Sequence, residues 1–142
     1  MPHTIQSESR TVEYPAILIM HLKQDDVLEI WDQPTSFKIR YPSASGKTGG
    51  HLYTADFFVI RKESAGWEEW KPEKTLVSLA EANPNRYFKD EHGKWRCPPC
   101  EEYASRFGLY FHVHSSSEIN YTFIRNAELL LPFYRHLRRF NG

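Results

Sequence analysis

The segment LYTADFFVIRKESAGWEEWK, residues 52–71, is the part of the sequence that indicates the fold. Residues 52–61 form a nearly continuous run of apolar and aromatic side chains, which predicts a central strand buried on both faces of a sheet. Residues 63–66 contain the Ser and Gly typical of a hairpin turn, and residues 67–71 predict the returning strand. The segment therefore predicts a β-hairpin within the central sheet.

The elements on both sides of this hairpin predict a mixed α/β fold. Residues 8–22 carry apolar side chains at helical spacing, and Pro15 fits within the first turn of that helix. The other predicted elements are strands over residues 27–32, 37–41 and 109–113, a flexible turn over residues 42–50, helices over residues 73–81, 98–107 and 126–140, and an inserted hairpin over about residues 83–97. This order predicts a single domain over residues 1–142, with a central mixed β-sheet flanked by helices.

Composition narrows the class of protein. Hydrophobic residues make up 40% of the 142 residues, and Lys plus Arg (18) balance Asp plus Glu (18). No apolar run approaches the roughly 20 residues of a membrane helix, and residues 1–10 do not resemble a signal peptide, so a cytoplasmic protein is expected. Proteins that coat DNA without sequence preference are usually basic, so a net charge of zero argues against that class. It is compatible with a nuclease, in which an acidic metal site offsets basic residues elsewhere.

Asp56, Glu69 and Lys71 are the main candidate site residues. Asp56 stands within the most apolar part of the chain, where an unpaired charge is expensive and needs a compensating partner. Glu69 and Lys71 are two residues apart on the returning strand, so they project to one face, while Glu68 and Trp70 face away. A short hairpin brings that face beside Asp56.

Two carboxylates and an amine at one sheet edge suit metal-assisted phosphodiester chemistry. Carboxylate oxygens are the hard ligands that Mg²⁺ prefers. The lysine would then lie beside the water that attacks a phosphate, or stabilise the charge that develops there. The alternative is a purely structural ion pair between Asp56 and Lys71, with Glu69 exposed. Spacing alone leaves both interpretations open.

Two further pairs of residues have metal-ligand spacing. Cys97 and Cys100 flank two prolines, but the chain has only 2 Cys, so a zinc site made of cysteines alone is excluded. We predict free thiols at a helix start. His112 and His114 share one strand face at a period of two, and we predict ordinary core or surface histidines there.

The order of these residues resembles a known family. Asp56 followed by Glu69-x-Lys71 is the signature of the PD-(D/E)xK restriction-endonuclease-like nucleases, and the wider pattern is similar to the N-terminal catalytic domain of TnsA, the endonuclease subunit of heteromeric transposases. The matching residues, over about residues 8–131, are Glu8-Ser9-Arg10 with Glu13, Val27, Gln33-Pro34, Tyr53-Thr54-x-Asp56-Phe57, Glu69-x-Lys71-Pro72, Ala104-x-x-Phe107-Gly108-Leu109 and Asn126-x-x-x-Leu130. Two features depart from the pattern: Ala55 replaces a proline, and the inserted hairpin is longer than the family's usual link.

The resemblance implies a restriction-endonuclease-like core and a set of site residues. Glu13, Asp56 and Glu69 would be the metal-binding acids, with Mg²⁺ as the ion and Mn²⁺ as a substitute. Lys71 would be the catalytic lysine. Glu13 would come from the first helix and complete the acidic site; on its own it is also a favourable first-turn acid for that helix.

The resemblance also implies a metal-dependent DNA endonuclease that cleaves the non-transferred strand at the 5′ ends of a transposon. The implied partners are double-stranded DNA at the transposon ends, a DDE-type transposase and an AAA+ regulator, in the bacterial cytoplasm at the nucleoid. Two alternatives stay open at this point. One is a stand-alone restriction or repair nuclease, and the other is a non-catalytic module that binds DNA ends or assembles the complex.

Overall fold

The computed structural model describes residues 24–119 and Thr122. The chain divides into two compact units, one of residues 28–118 and one of residues 1–27 with 119–142. The elements below belong to the unit of residues 28–118, except that the first strand begins at Val27. The predicted helices over residues 8–22 and 126–140 lie outside the described residues, as does Glu13. The single domain over residues 1–142 stays a prediction.

The described part of the chain is an α/β structure. Its elements are β1 (Val27–Asp32), β2 (Phe37–Pro42), β3 (Thr48–Tyr53), β4 (Phe57–Arg61), β5 (Ala65–Lys71), α1 (Glu73–Ala82), β6 (Phe88–Lys89), β7 (Trp95–Arg96), α2 (Pro98–Ser105), β8 (Tyr110–Ser115) and a 3₁₀ turn (Ser116–Glu118). The largest sheet has the order β1-β4-β5-β8. β4 and β5 are antiparallel, whereas β5 and β8 are parallel. This mixed central sheet with two helices confirms the predicted fold class and is consistent with a restriction-endonuclease-like core. No helix among the described residues has the length and apolar character needed to span a membrane.

The apolar run over residues 52–61 is two strands, and the prediction of one continuous strand is wrong. β3 pairs with β2, while β4 pairs with β5, so the chain changes sheets between Tyr53 and Phe57. Polar side chains occupy the break: the Thr54 hydroxyl contacts the Ser36 hydroxyl, and Asp56 accepts a hydrogen bond from another strand. Asp56 therefore lies just before β4, not inside an apolar strand. The predicted turn over residues 42–50 is also too long, because β3 begins at Thr48.

The core lies where the β2–β3 hairpin packs against α2 and the main sheet. The side chains of β2 alternate between buried and exposed, as expected for a strand with one apolar face. The Phe37 ring stacks on Tyr103 of α2, with 4.3 Å between ring centroids. The buried members of this core are Phe37, Ile39, Tyr41, Tyr53, Ala55, Leu76, Tyr87, Trp95, Cys97, Cys100, Ala104, Phe111 and Val113. The predicted inserted hairpin contributes Tyr87 and Trp95 to this core, so it is part of the domain's packing.

A glycine sets the close approach of β5 and β8. A Cβ atom at Gly66 would lie 2.2 Å from the carbonyl oxygen of Tyr110, a distance that real side chains do not adopt. Gly66 therefore allows Tyr110 to lie directly beside it, at the start of the parallel register. The same register places Glu68 beside His112 and Glu69 beside Val113.

Candidate active site

The structure brings Asp56 and Glu69 to the same edge of the sheet. Phe57 of β4 is paired with Glu68 of β5, and continuing this antiparallel register by one residue sets Asp56 opposite Glu69. The Trp70 backbone N–H donates a 2.8 Å hydrogen bond to Asp56 Oδ2, which holds that carboxylate against β5. Residues directly opposite one another in an antiparallel pair share a face. The register, continued to Asp56, therefore favours one side of the sheet for both acids.

Glu69 is a buried carboxylate with two partners from different parts of the chain. It is 4% exposed. Its Oε2 accepts a 2.9 Å hydrogen bond from the Tyr87 hydroxyl, and its Oε1 lies 3.4 Å from the Lys71 ammonium nitrogen. A buried charge needs such compensation. The ion pair therefore joins Lys71 to Glu69, and Glu69 is buried. This differs from the alternative raised by the sequence, in which Lys71 pairs with Asp56 and Glu69 is exposed.

Tyr87 is a candidate site residue that the sequence analysis did not identify. It is fully buried at the start of the inserted hairpin, 18 residues beyond Glu69. Burial, followed by the charge of Glu69, raises the pKa of Tyr87, and the same two causes raise the pKa of the buried Tyr53. Both phenols therefore keep their protons at neutral pH, and Tyr87 remains a hydrogen-bond donor to Glu69. No spacing pattern links a tyrosine in an insertion to a strand carboxylate, which is why sequence reasoning missed it.

A second cluster lies on the opposite face of β5, around Glu68. This carboxylate is 1% exposed. Its Oε2 accepts hydrogen bonds from Arg61 Nη2 (2.9 Å) and from the Tyr110 hydroxyl (2.6 Å). Its Oε1 lies 2.8 Å from His114 Nε2. The predicted orientation, with Glu68 facing away from Glu69, is confirmed by these partners.

His114 joins Glu68 to a second acid. Its Nδ1 lies 3.0 Å from Glu118 Oε1. Burial lowers the pKa of His114, but the hydrogen bonds to Glu118 and Glu68 outweigh burial and raise it to about 9. His114 is therefore a polar bridge in the described structure, not an ordinary core histidine. The His-x-His spacing on β8 was the available signal, but its significance depends on pairing with Glu68.

The cysteine pair forms no part of either cluster. Cys97 and Cys100 are buried and are not joined in a disulfide. They lie at the start of α2, as predicted, and the absence of a bound metal stays a prediction. Cys97 directly precedes α2, and the first two residues of α2 are prolines. The first N–H groups of a helix have no partner within the helix, and proline has no N–H, so prolines are well tolerated at this position. The Cys97 backbone N–H donates to Glu101 Oε2 at 3.2 Å. The hydrogen bond with Cys97, followed by burial, raises the pKa of the Cys100 thiol, which disfavours the thiolate that metals require.

Comparison with known proteins identifies the family of the chain. The family model described as TnsA-like endonuclease N terminal matches residues 24–116. No curated protein matches the sequence. The matched stretch contains Asp56, Glu69 and Lys71, together with all of the inserted hairpin, and it ends before Glu118. The chain therefore belongs to the family of TnsA-like endonuclease N-terminal domains.

Proposed function

We propose that the protein is a metal-dependent DNA endonuclease that cleaves the non-transferred strand at the 5′ ends of a transposon during transposition. Family membership already indicates a nuclease function in transposition. The observation that best supports the finer proposal is the buried Glu69 carboxylate, which lies between Lys71 and Tyr87 and opposite Asp56. A charged group of this kind is costly to bury. A catalytic role for Glu69 would explain why the fold keeps a buried carboxylate at this position despite its cost in stability.

Asp56 and Glu69 are the proposed ligands of Mg²⁺, with Glu13 as a third acid. Two carboxylates set opposite one another by the β4–β5 register are the oxygen donors that Mg²⁺ and Mn²⁺ accept. When bound, the ion supplies positive charge that polarises the scissile phosphate. The hydrogen bond from the Trp70 N–H keeps Asp56 directed toward β5. Tyr87 holds Glu69 from the buried side, so the orientation of both acids is fixed before substrate arrives.

Lys71 is the proposed catalytic lysine. Its side chain is 27% exposed, so the ammonium is held near Glu69 and is still accessible to a ligand at the surface. In this role it binds a phosphate oxygen and stabilises the negative charge that develops as the phosphodiester bond breaks. Because Glu69 already holds the Lys71 ammonium in position, the side chain needs little movement during the reaction.

The substrate is proposed to be duplex DNA at the transposon ends, delivered by partners. The chain has a net charge of zero, which provides little of the general attraction to phosphates that DNA-binding proteins use. A DDE-type transposase and an AAA+ regulator would supply the site recognition, in the bacterial cytoplasm at the nucleoid.

Metal dependence tests this function directly. A transposon-end duplex is incubated with the protein and its partner transposase, and strand nicking is measured with Mg²⁺, Mn²⁺ or Ca²⁺. We expect Mg²⁺ and Mn²⁺ to support cleavage, and Ca²⁺ to bind without supporting it, because Ca²⁺ prefers longer and looser coordination. Cleavage that survives excess chelator would overturn the proposal. Equal nicking of unrelated duplexes without the transposase would favour a stand-alone restriction or repair nuclease.

Removing the Tyr87 hydroxyl tests how Glu69 is held. The Tyr87→Phe variant keeps the buried ring but loses the donor to Glu69, and we expect a loss of activity of about ten- to a hundredfold, typical of losing a hydrogen bond behind a metal ligand. Tyr103→Phe removes a hydroxyl elsewhere in the core and serves as the control. Full activity of Tyr87→Phe per folded molecule would show that this hydrogen bond does not position Glu69.

A further inference from the structure

We propose that Glu68, His112 and His114 bind a zinc-type transition-metal ion on the sheet face opposite Asp56 and Glu69. Each residue offers one ligand atom, and these atoms all lie within 4.8 Å of one another. Zinc binds imidazole nitrogen and carboxylate oxygen at about 2.0–2.2 Å, so ligand atoms around one ion lie roughly 3–4 Å apart. Small side-chain movements would complete this geometry.

Strand register explains why the three residues converge. Glu68 of β5 is the direct parallel partner of His112 of β8, and His114 lies two residues further along the same face. Glu68 is buried, whereas His112 is exposed and its ring stacks on Tyr110, with 4.1 Å between ring centroids. The three ligands thus come from two paired strands and require no loop to rearrange.

The surrounding hydrogen bonds suit a metal ligand set. Arg61 and Tyr110 both bind Glu68 Oε2, so Oε1 faces His114 Nε2 at 2.8 Å. An ion between these two atoms takes the place of their shared hydrogen bond, and the displaced proton leaves to solvent. The other ring nitrogen of His114, Nδ1, contacts the Glu118 carboxylate. In many metal sites a carboxylate placed in this way fixes the orientation of the histidine ligand.

A cleft borders the two histidines of this site. It has a volume of about 620 Å³ and is lined by β8, Glu118 and the β6–β7 hairpin, with His112 and His114 among its walls. Three protein ligands beside an open cleft leave room for water as a fourth ligand. Two imidazoles favour Zn²⁺ over Mg²⁺, so this site differs chemically from the carboxylate site across the sheet.

Metal titration of the intact protein provides the test. After chelator treatment, we expect calorimetry and metal analysis to show one equivalent of Zn²⁺. Co²⁺ should give the visible d–d absorption of a nitrogen and oxygen site. His112→Ala should weaken Zn²⁺ affinity more than about a hundredfold, because a direct ligand matters more than the hydrogen bonds behind it. The matched control is His92→Ala, which removes an exposed histidine from the β6–β7 hairpin.

Two further variants distinguish this site from the others. Glu118→Gln should weaken Zn²⁺ affinity about ten- to a hundredfold while the ligands remain. Asp56→Asn should leave Zn²⁺ affinity unchanged, so the result is independent of the proposed nuclease site. The proposal is overturned if zinc does not bind, or if His112→Ala retains wild-type affinity. An intense thiolate-to-cobalt absorption band, or loss of zinc in Asp56→Asn, would assign the ion to another site and would also overturn it.

Discussion

Replacing Lys71 with alanine is expected to slow strand cleavage by on the order of a hundredfold or more, as losing a preorganised charge stabiliser typically does. The ammonium lies 3.4 Å from Glu69 Oε1, within the proposed site, and is partly exposed. Glu69 would keep its hydrogen bond from Tyr87, so we expect folding and partner association to be largely retained. The measurement is nicking of a transposon-end duplex in the presence of the partner transposase, with a melting curve for each variant.

A second lysine provides a matched control. Lys89 also pairs with a glutamate, its ammonium nitrogen lying 3.5 Å from Glu73 Oε2, but it lies outside the proposed site. The Lys89→Ala variant should therefore cleave the transposon-end duplex at the wild-type rate. A purely structural role for Lys71 predicts a domain destabilised by several kcal/mol with unchanged chemistry. Early melting of Lys71→Ala, combined with a wild-type rate per folded molecule, would thus refute the catalytic assignment.

Replacing Asp56 with asparagine is expected to abolish Mg²⁺ binding measured by calorimetry, and to reduce cleavage at least about a hundredfold. Asparagine is chosen over alanine because its side-chain oxygen can still accept the Trp70 N–H hydrogen bond. Alanine would leave that N–H without its acceptor, at a cost of about 1–3 kcal/mol if it is cut off from water. The asparagine variant therefore separates the loss of charge from the loss of structure.

Asp90 is the matched control for this substitution. It also accepts backbone hydrogen bonds, from the N–H groups of His92 and Lys94 at 2.9 Å each, in the turn of the inserted hairpin. Asp90→Asn should retain Mg²⁺ affinity and cleavage per folded molecule. If Asp56→Asn binds Mg²⁺ as tightly as the wild type, Asp56 is not a ligand and the proposed metal site is wrong.

Local patterns in the sequence were sufficient to predict most of the elements. The two-residue period of a strand correctly places Glu69 and Lys71 on one face and Glu68 on the other. Turn residues and prolines correctly predict the inserted hairpin and the start of α2. These features depend on neighbouring residues, so they can be inferred from a short window of sequence.

Features that depend on tertiary pairing could not be predicted in this way. The sequence does not reveal that the chain changes sheets between β3 and β4, because Leu52 and Tyr53 at the end of β3 are followed after only three residues by the apolar β4. The Tyr87–Glu69 hydrogen bond depends on where an insertion folds back. The Glu68–His114 contact spans 46 residues and depends on the parallel register beside Gly66. Periodicity predicts which face a residue occupies, but not its neighbour on the next strand.

The adjacent glutamates of β5 have a consequence for how this protein can vary in length. Glu68 and Glu69 serve opposite faces of one strand, so inserting or deleting a single residue before them within β5 would turn each carboxylate to the wrong side. Both clusters would lose an acid in the same event. Length changes should therefore be tolerated in the turn over residues 62–64 and not within β5. Among related sequences, alignment gaps are expected to stop at the first residue of this strand.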